Sequence, residues 1–344
     1  MLRPIVAARH NDKGVILIVS LWILAILSLF AIGLGHKLSL QIRLLHNRLD
    51  GIKAYYIAKA GVERAIAERE KALLVNEVIY ADSFSQAWLA NTAVFKQSEL
   101  GDGVFTVENQ DVPGAYGLSD EQAKININTA SFDTLKALLK QVSLSDEAAS
   151  GLTAGIIDWR NKNSRFDTIE EILSVKDMTP DIFYGRDANI SGIKKYITVY
   201  GSGVVNINTA PAAVLTAILD PGSVRPELIS YITDARKSLL DKNESGTWFV
   251  SIAPDDLDAQ GYLNKNSASI KNISSDNLDL NDQERLLLAV LKAAHEQGLI
   301  NVTSSVFKIN SAADVRGIGR SIEAVIEFDD KNPSQYKFIS WNQK

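Results

Sequence analysis

Few residues in this chain are of a type and spacing that could do chemistry. The four histidines, His10, His36, His46 and His295, stand apart with no HxH or HxxxH spacing, so a metal site or triad would need distant residues to converge. Cysteine is absent, which removes thiol nucleophiles, disulfides, Zn–Cys centres and iron–sulfur clusters together. The 41 acidic residues include two clusters, Asp255, Asp256 and Asp258, then Asp276, Asp279 and Asp282. Clustered carboxylates with loop carbonyls suit Ca²⁺, which takes about six to eight oxygen ligands, although the spacing is not that of an EF-hand and a solvated acidic loop reads the same way. No metal ligand is assigned on this basis. Neither a P-loop nor a GxSxG elbow occurs, and Gly317-Ile318-Gly319-Arg320 precedes a strand pattern, so it reads as a turn. No catalytic residue is named, no cofactor is required, and the chain is not read as an enzyme.

What does recur is a short polar motif. Ile125-Asn126-Ile127-Asn128-Thr129-Ala130 returns as Val205-Asn206-Ile207-Asn208-Thr209-Ala210. Helical patterns follow each copy: Phe132, Leu135, Leu138 and Leu139, then Val214, Leu215, Ile218 and Leu219. Apolar–polar alternation ending in Asn-Thr predicts side chains that cap the next helix, with Pro211 in its tolerant first turn. Capping and packing account for these residues without catalysis.

The elements that carry these motifs begin with a membrane anchor. Val15 to Gly35 is 21 residues without a charge, about 30 Å of helix. That is longer than the apolar region of a signal peptide, and Gly33-Leu34-Gly35-His36 is a poor cleavage site. Leu38, Ile42, Leu45, Leu49, Ile52 and Tyr56 then follow at steps of four and three, a stripe on one helical face. With no proline in 15–75, one continuous helix is predicted, transmembrane over 15–35. Three basic residues precede the apolar run and three follow it, so charge does not orient it; the short leader places the N-terminus inside and the body outside. Residues 1–50 carry +4 and the rest of the chain −9, and so acidic a body speaks against nonspecific nucleic-acid binding. The composition, 46% hydrophobic and 22% charged, excludes disorder along the whole length.

The junction between leader and anchor resembles a type IV prepilin or a type II secretion pseudopilin: basic residues, Lys13-Gly14, then the apolar run. The resemblance implies cleavage by a prepilin peptidase between Gly14 and Val15, and N-methylation of Val15. It also implies a Glu at the fifth mature position, where this chain has Val19. In that family the Glu pairs with a neighbour's terminal amine, so its loss suits a subunit with nothing above it, at the fibre tip.

With the paired repeats, the chain resembles the general secretion pathway protein K family of minor pseudopilins. The implied fold is α+β: a pilin-like long N-terminal helix and an antiparallel sheet, with a large inserted helical domain holding two related helix-hairpin-helix-like units. The expected division is a leader over 1–14, the helix over 15–75, sheet regions at 76–120 and 300–344, and the insertion over 121–299, with its repeats at 125–141 and 205–220. Phe105-Thr106-Val107-Glu108, Tyr196-Ile197-Thr198-Val199-Tyr200, Phe307-Lys308-Ile309-Asn310, Ser321 to Glu327 and Tyr336 to Trp341 resemble the family's strands. The implied role is to cap the pseudopilus and help initiate its assembly for protein export across the outer membrane. It implies partners among other minor pseudopilins, the major pseudopilin and prepilin peptidase, and location in the inner membrane with a periplasmic body. Calcium enters as a ligand that such pseudopilins bind. The alternative is a membrane-anchored DNA-binding protein of the competence type, whose helix-hairpin-helix modules open with a similar motif. Where such modules place a glycine-bounded phosphate loop, this chain has Val142-Ser143-Leu144-Ser145-Asp146-Glu147, so no nucleic acid is expected.

Overall fold

The computed structural model describes residues 12–76, 81–84, 86–187, 190–222, 225–241, 282–329, 332 and 334–344. Helix α1 (Asp12–Asn76) runs unbroken for 65 residues, as the absence of proline allows. Among the described residues it is the one helix long and apolar enough, at its start, to cross a membrane, which fits an N-terminal anchor. Its last third buries Ala54, Ala58, Val62, Ala65 and Ile66. Small residues let the sheet come close: a Cβ on Gly61 would stand 2.2 Å from Ser311 Oγ and 2.9 Å from Phe105 Cδ2.

After α1 come the short helix α2 (Thr92–Phe95) and strands β1 (Ser98–Leu100), β2 (Gly103–Glu108) and β3 (Ser119–Asp120). The chain then leaves the sheet. It forms β4 (Ile125–Asn126), α3 (Phe132–Gln141), α4 (Asp146–Asn163), α5 (Pro180–Tyr184), β5 (Gly185–Asp187), β6 (Ile190–Ser191) and β7 (Ile197–Thr198). The second repeat supplies β8 (Val205–Asn206), α6 (Ala212–Leu219) and α7 (Pro226–Asp241), and α8 (Asp282–Glu296) and β9 (Ile300–Asn301) follow. The chain returns with β10 (Val306–Val315), β11 (Ile318–Phe328) and β12 (Tyr336–Gln343).

The main sheet runs β1-β2-β10-β11-β12, with β3 paired to β10 beyond the end of β2, and every pairing is antiparallel. The expected α+β architecture, a long helix on an antiparallel sheet with an inserted helical part, is what the chain adopts. The turn read at Gly317 joins β10 to β11, with Arg316 at φ 53° and Gly317 at φ 84°, the pair of positive angles a tight hairpin requires. One expected strand does not join the sheet. Ile193–Tyr196 is a 3₁₀ turn, and only Ile197–Thr198 is extended, pairing in parallel with Ile125–Asn126 inside the helical lobe. Val205–Asn206 pairs with Ile300–Asn301 in the same manner.

Two separate cores result. Phe95, Val107, Phe307, Ile309 and Ile326 pack between sheet and α1. Leu135, Leu138, Ile156, Phe166 and Leu215 fill the lobe. Ile318 and Arg320 lie beside Gly51 while Phe328 lies under Arg69, so β11 runs along α1 and β10 runs back. The chain enters the lobe after Asp120 and leaves it before Val306, at the end of the sheet nearest Arg69. The lobe therefore stands at the end of the body farthest from the apolar half of α1.

Candidate functional site

Three features could carry function: the bare surface of α1, the paired repeats, and the polar seam joining lobe to sheet.

The stripe Leu38, Ile42, Leu45, Leu49, Ile52 and Tyr56 is exposed along its whole length. At about 100° per residue its centre lies opposite the face of α1 that buries Ala54, Ala58 and Ala65. The stripe therefore plays no part in holding the body together. It forms an apolar seam about 27 Å long that continues the anchor. Val15 and Val19 lie upstream in that anchor and are exposed, while Gly14 falls in its first turn. Residues 1–11 of the leader lie outside the described residues.

The two motif copies fold alike. In each, the first Asn side chain accepts from the backbone N–H two residues on: Asn128 N to Asn126 Oδ1 and Asn208 N to Asn206 Oδ1, both at 2.9 Å. In each, an arginine from the second helix of the unit staples the turn. Arg160 donates to the Ile127 and Ala130 carbonyls at 3.0 and 3.1 Å, and Arg236 to those of Ile207 and Ala210 at 2.9 and 2.8 Å. Burial lowers the Arg236 guanidinium to about 10. The sequence reading missed this equivalence, because α3 and α6 differ in length and shift the arginine spacing. Helix capping by Asn-Thr is not what these side chains do. Ser131 caps α3 by accepting from Thr134 N, Pro211 occupies the cap of α6 without a side-chain bond, and Thr209 donates to Asp120 instead.

Outward from this shared geometry the copies part. Asn126 donates to the Tyr200 and Gly201 carbonyls, and Asn128 exchanges bonds with the Phe166 backbone, all within the lobe. Asn206 donates to Asp120 Oδ2 on the sheet strand β3, and also to the Asp82 carbonyl and Ser304 Oγ, which lie where the chain after α1 meets the lobe's exit beside the lobe-core residues Ala81 and Val302.

The seam is polar and closed to water. Gln122 Oε1 accepts from Ser305 N at 2.5 Å and Val306 N at 3.2 Å, tying the lobe's entry to the start of β10. Lys124 bridges Glu121 at 2.8 Å and Asp111 at 3.1 Å. Burial opposes both charges there, but Lys124 and Lys308 hold Glu121 below its usual range, and Glu121 and Asp111 raise Lys124.

The hairpin between α3 and α4 has no phosphate cradle. Ser145 caps α4, and Asp146 in its first turn takes the ammonium groups of Lys136 at 2.8 Å and Lys140 at 3.2 Å. The helix end and its nearby cations are thus engaged by the chain's own carboxylate. Asp255, Asp256, Asp258, Asp276 and Asp279 lie outside the described residues, and Asp282 opens α8.

Comparison with known proteins places these features in context. No protein-family model matches the chain. It is 26% identical over 259 residues to the type II secretion system protein K of Pseudomonas aeruginosa, covering 66% of this chain and 73% of that protein. It is also 26% identical over 172 residues to the protein K of Aeromonas hydrophila, covering 45% of this chain and 48% of that one. In fold it is similar to a chain from the crystal structure of the GspK-GspI-GspJ complex of the enterotoxigenic Escherichia coli type 2 secretion system, with a TM-score of 0.53 at 16% identity over 87% of this chain and 99% of that one. The resemblance to protein K drawn from the leader, Val19 and the paired repeats is borne out.

Proposed function

From that kinship with the type II secretion minor pseudopilins, we propose that this chain caps the tip of a pseudopilus and helps to start the assembly that exports proteins across the outer membrane. The position of the lobe carries this reading. It crowns the end of the body away from the membrane, so a successor stacked there meets a broad helical surface and not a narrow sheet. Val19 supports the same place, since a subunit without a carboxylate at this position cannot neutralise the terminal amine of a neighbour.

In this reading prepilin peptidase removes residues 1–14, Val15 becomes the methylated N-terminus, and the anchor waits in the inner membrane with the body in the periplasm. The exposed seam from Leu38 to Tyr56 is then covered by the helices of other minor pseudopilins and of the major pseudopilin. Function lies in assembly and calls for no cofactor. Quantitative mass spectrometry of purified pseudopili tests the cap: a few copies per fibre support it, and stoichiometry near that of the major subunit overturns it. Intact mass of the membrane-extracted protein tests the processing, and Gly14→Leu should retain the leader.

A further inference from the structure

Two carboxyls in the seam are buried far from the surfaces that assembly would use. Asp82 lies in the stretch after α1 and Asp120 ends β3; they are 1% and 0% exposed. Ser304 joins them, its N–H donating to Asp82 Oδ2 and its hydroxyl to Asp120 Oδ2, both at 2.7 Å. Their supply of donors is unequal. Asp120 Oδ2 also accepts from Thr209 Oγ1 at 2.6 Å and Asn206 Nδ2 at 3.2 Å, and Asp120 Oδ1 accepts from Gln122 N at 2.8 Å. Asp82 receives the single Ser304 N–H, and its Oδ1 is buried with no hydrogen-bond partner among the described residues.

Two negative charges this close in a dry seam repel, and a bare carboxylate oxygen costs more than a neutral one. The proton therefore goes to the carboxyl with fewer donors. We infer that Asp82 is a proton-held pin: protonated, it lets the second repeat clamp onto the sheet through Asp120 and Ser304, and ionised, it loosens the lobe from the body. Burial pushes Asp82 up to about 7, against the Ser304 N–H and the Arg69 guanidinium on α1, with Asp120 adding to the rise. Burial likewise lifts Asp120 to about 6 against its donors Thr209, Ser304 and Gln122, and Glu121 adds to that rise. Since both carboxyls titrate above the ordinary 3.8, acid favours the clamped state, and the attachment weakens as pH climbs towards neutrality.

The test is hydrogen exchange on the full chain in detergent, corrected for intrinsic rates, at about pH 5.5 and about pH 8. Amides of residues 205–210 and 302–306 should open on the order of tenfold more readily at the higher pH. Asp82→Asn, which places a neutral amide where the proton sits, should remove most of that pH dependence and leave the smaller part that Asp120 carries. Infrared spectra of the unmutated chain give a second reading: a protonated carboxyl band at about pH 5.5, lost by about pH 8. Equal protection at the two pH values, or the absence of that band, overturns the pin, as does an unchanged pH response in Asp82→Asn.

Discussion

Asn126 and Asn206 hold the same place in two copies of one motif, yet one binds carbonyls inside the lobe and the other reaches Asp120 on the sheet strand β3. The inner half of each copy is the same: an Asn-closed turn, a two-residue parallel strand and an arginine staple. The outer half depends on the neighbour. Beside the first copy lies compensated charge, Glu121 with Lys124; beside the second lies the carboxyl pair Asp82 and Asp120, which Arg69 opposes only in part. The two copies share the backbone device and differ in what their side-chain ends hold. One copy builds the lobe, and the other attaches it.

Removing the compensation is the harshest way to break this contrast. Lys124→Met strips Glu121 and Asp111 of their shared ammonium, and loss of one partner of a buried pair should cost about 3–5 kcal/mol in urea unfolding. A loss under about 1 kcal/mol would mean that the charges there are not compensated by Lys124 at all.

Asparagine replacements test the outer halves directly. Asn206→Ala leaves the Asp82 carbonyl, Asp120 and Ser304 each short of a donor and should cost about 3 kcal/mol. Asn126→Ala frees two carbonyls beside a half-buried loop and should cost about half as much. Equal losses would erase the distinction between a lobe-building and a lobe-attaching copy.

The staples should behave alike, which sharpens the other side of the comparison. Arg160→Met and Arg236→Met each remove two bonds to carbonyls, and each should lower stability by about 2 kcal/mol. The desolvated Arg236 recovers part of its burial cost on replacement, so its loss should not be the larger.

Acid should separate the copies by sign, with the smallest effect of the four, about 1 kcal/mol. Glu121 is held below its unfolded value, so its stabilisation is present above that value and lost as pH falls through the folded one. Asp82 is held above its own, so acidification from about 7 favours the folded form. Exchange protection at residues 125–130 should therefore fall in acid, while that at 205–210 rises.

The sequence discloses what local pattern dictates. The anchor, the unbroken helix, the Gly317 turn and the long terminal strands follow from hydropathy, missing proline and alternation. Tyr196 to Tyr200 alternates just as well but lies in the lobe, because the strand it pairs with, Ile125–Asn126, is the one next to it after the chain has left the sheet. The stripe on α1 is plain in sequence, but not that it faces away from the body, which depends on the opposite row of alanines and glycines meeting β10 and β11. Asp82, Asp120 and Glu121 look like any surface acids until the fold encloses them, and neither pattern nor propensity encodes that enclosure.

The insertion point of the lobe also bears on the order in which the chain folds. Glu108 of β2 and Asn310 of β10 are register partners separated by 202 residues of sequence. Closing so long a loop of unstructured chain is entropically costly and slow, whereas the lobe is built largely from contacts nearer in sequence. A lobe that has already folded brings Asp120 and Val306 together and shortens the loop to almost nothing. Until then α1 stands tethered at the membrane with its alanine face uncovered, waiting for the last 40 or so residues to emerge. A newly made chain is thus most open to capture and aggregation in the interval between completion of the lobe and the pairing of β10 and β11 along α1.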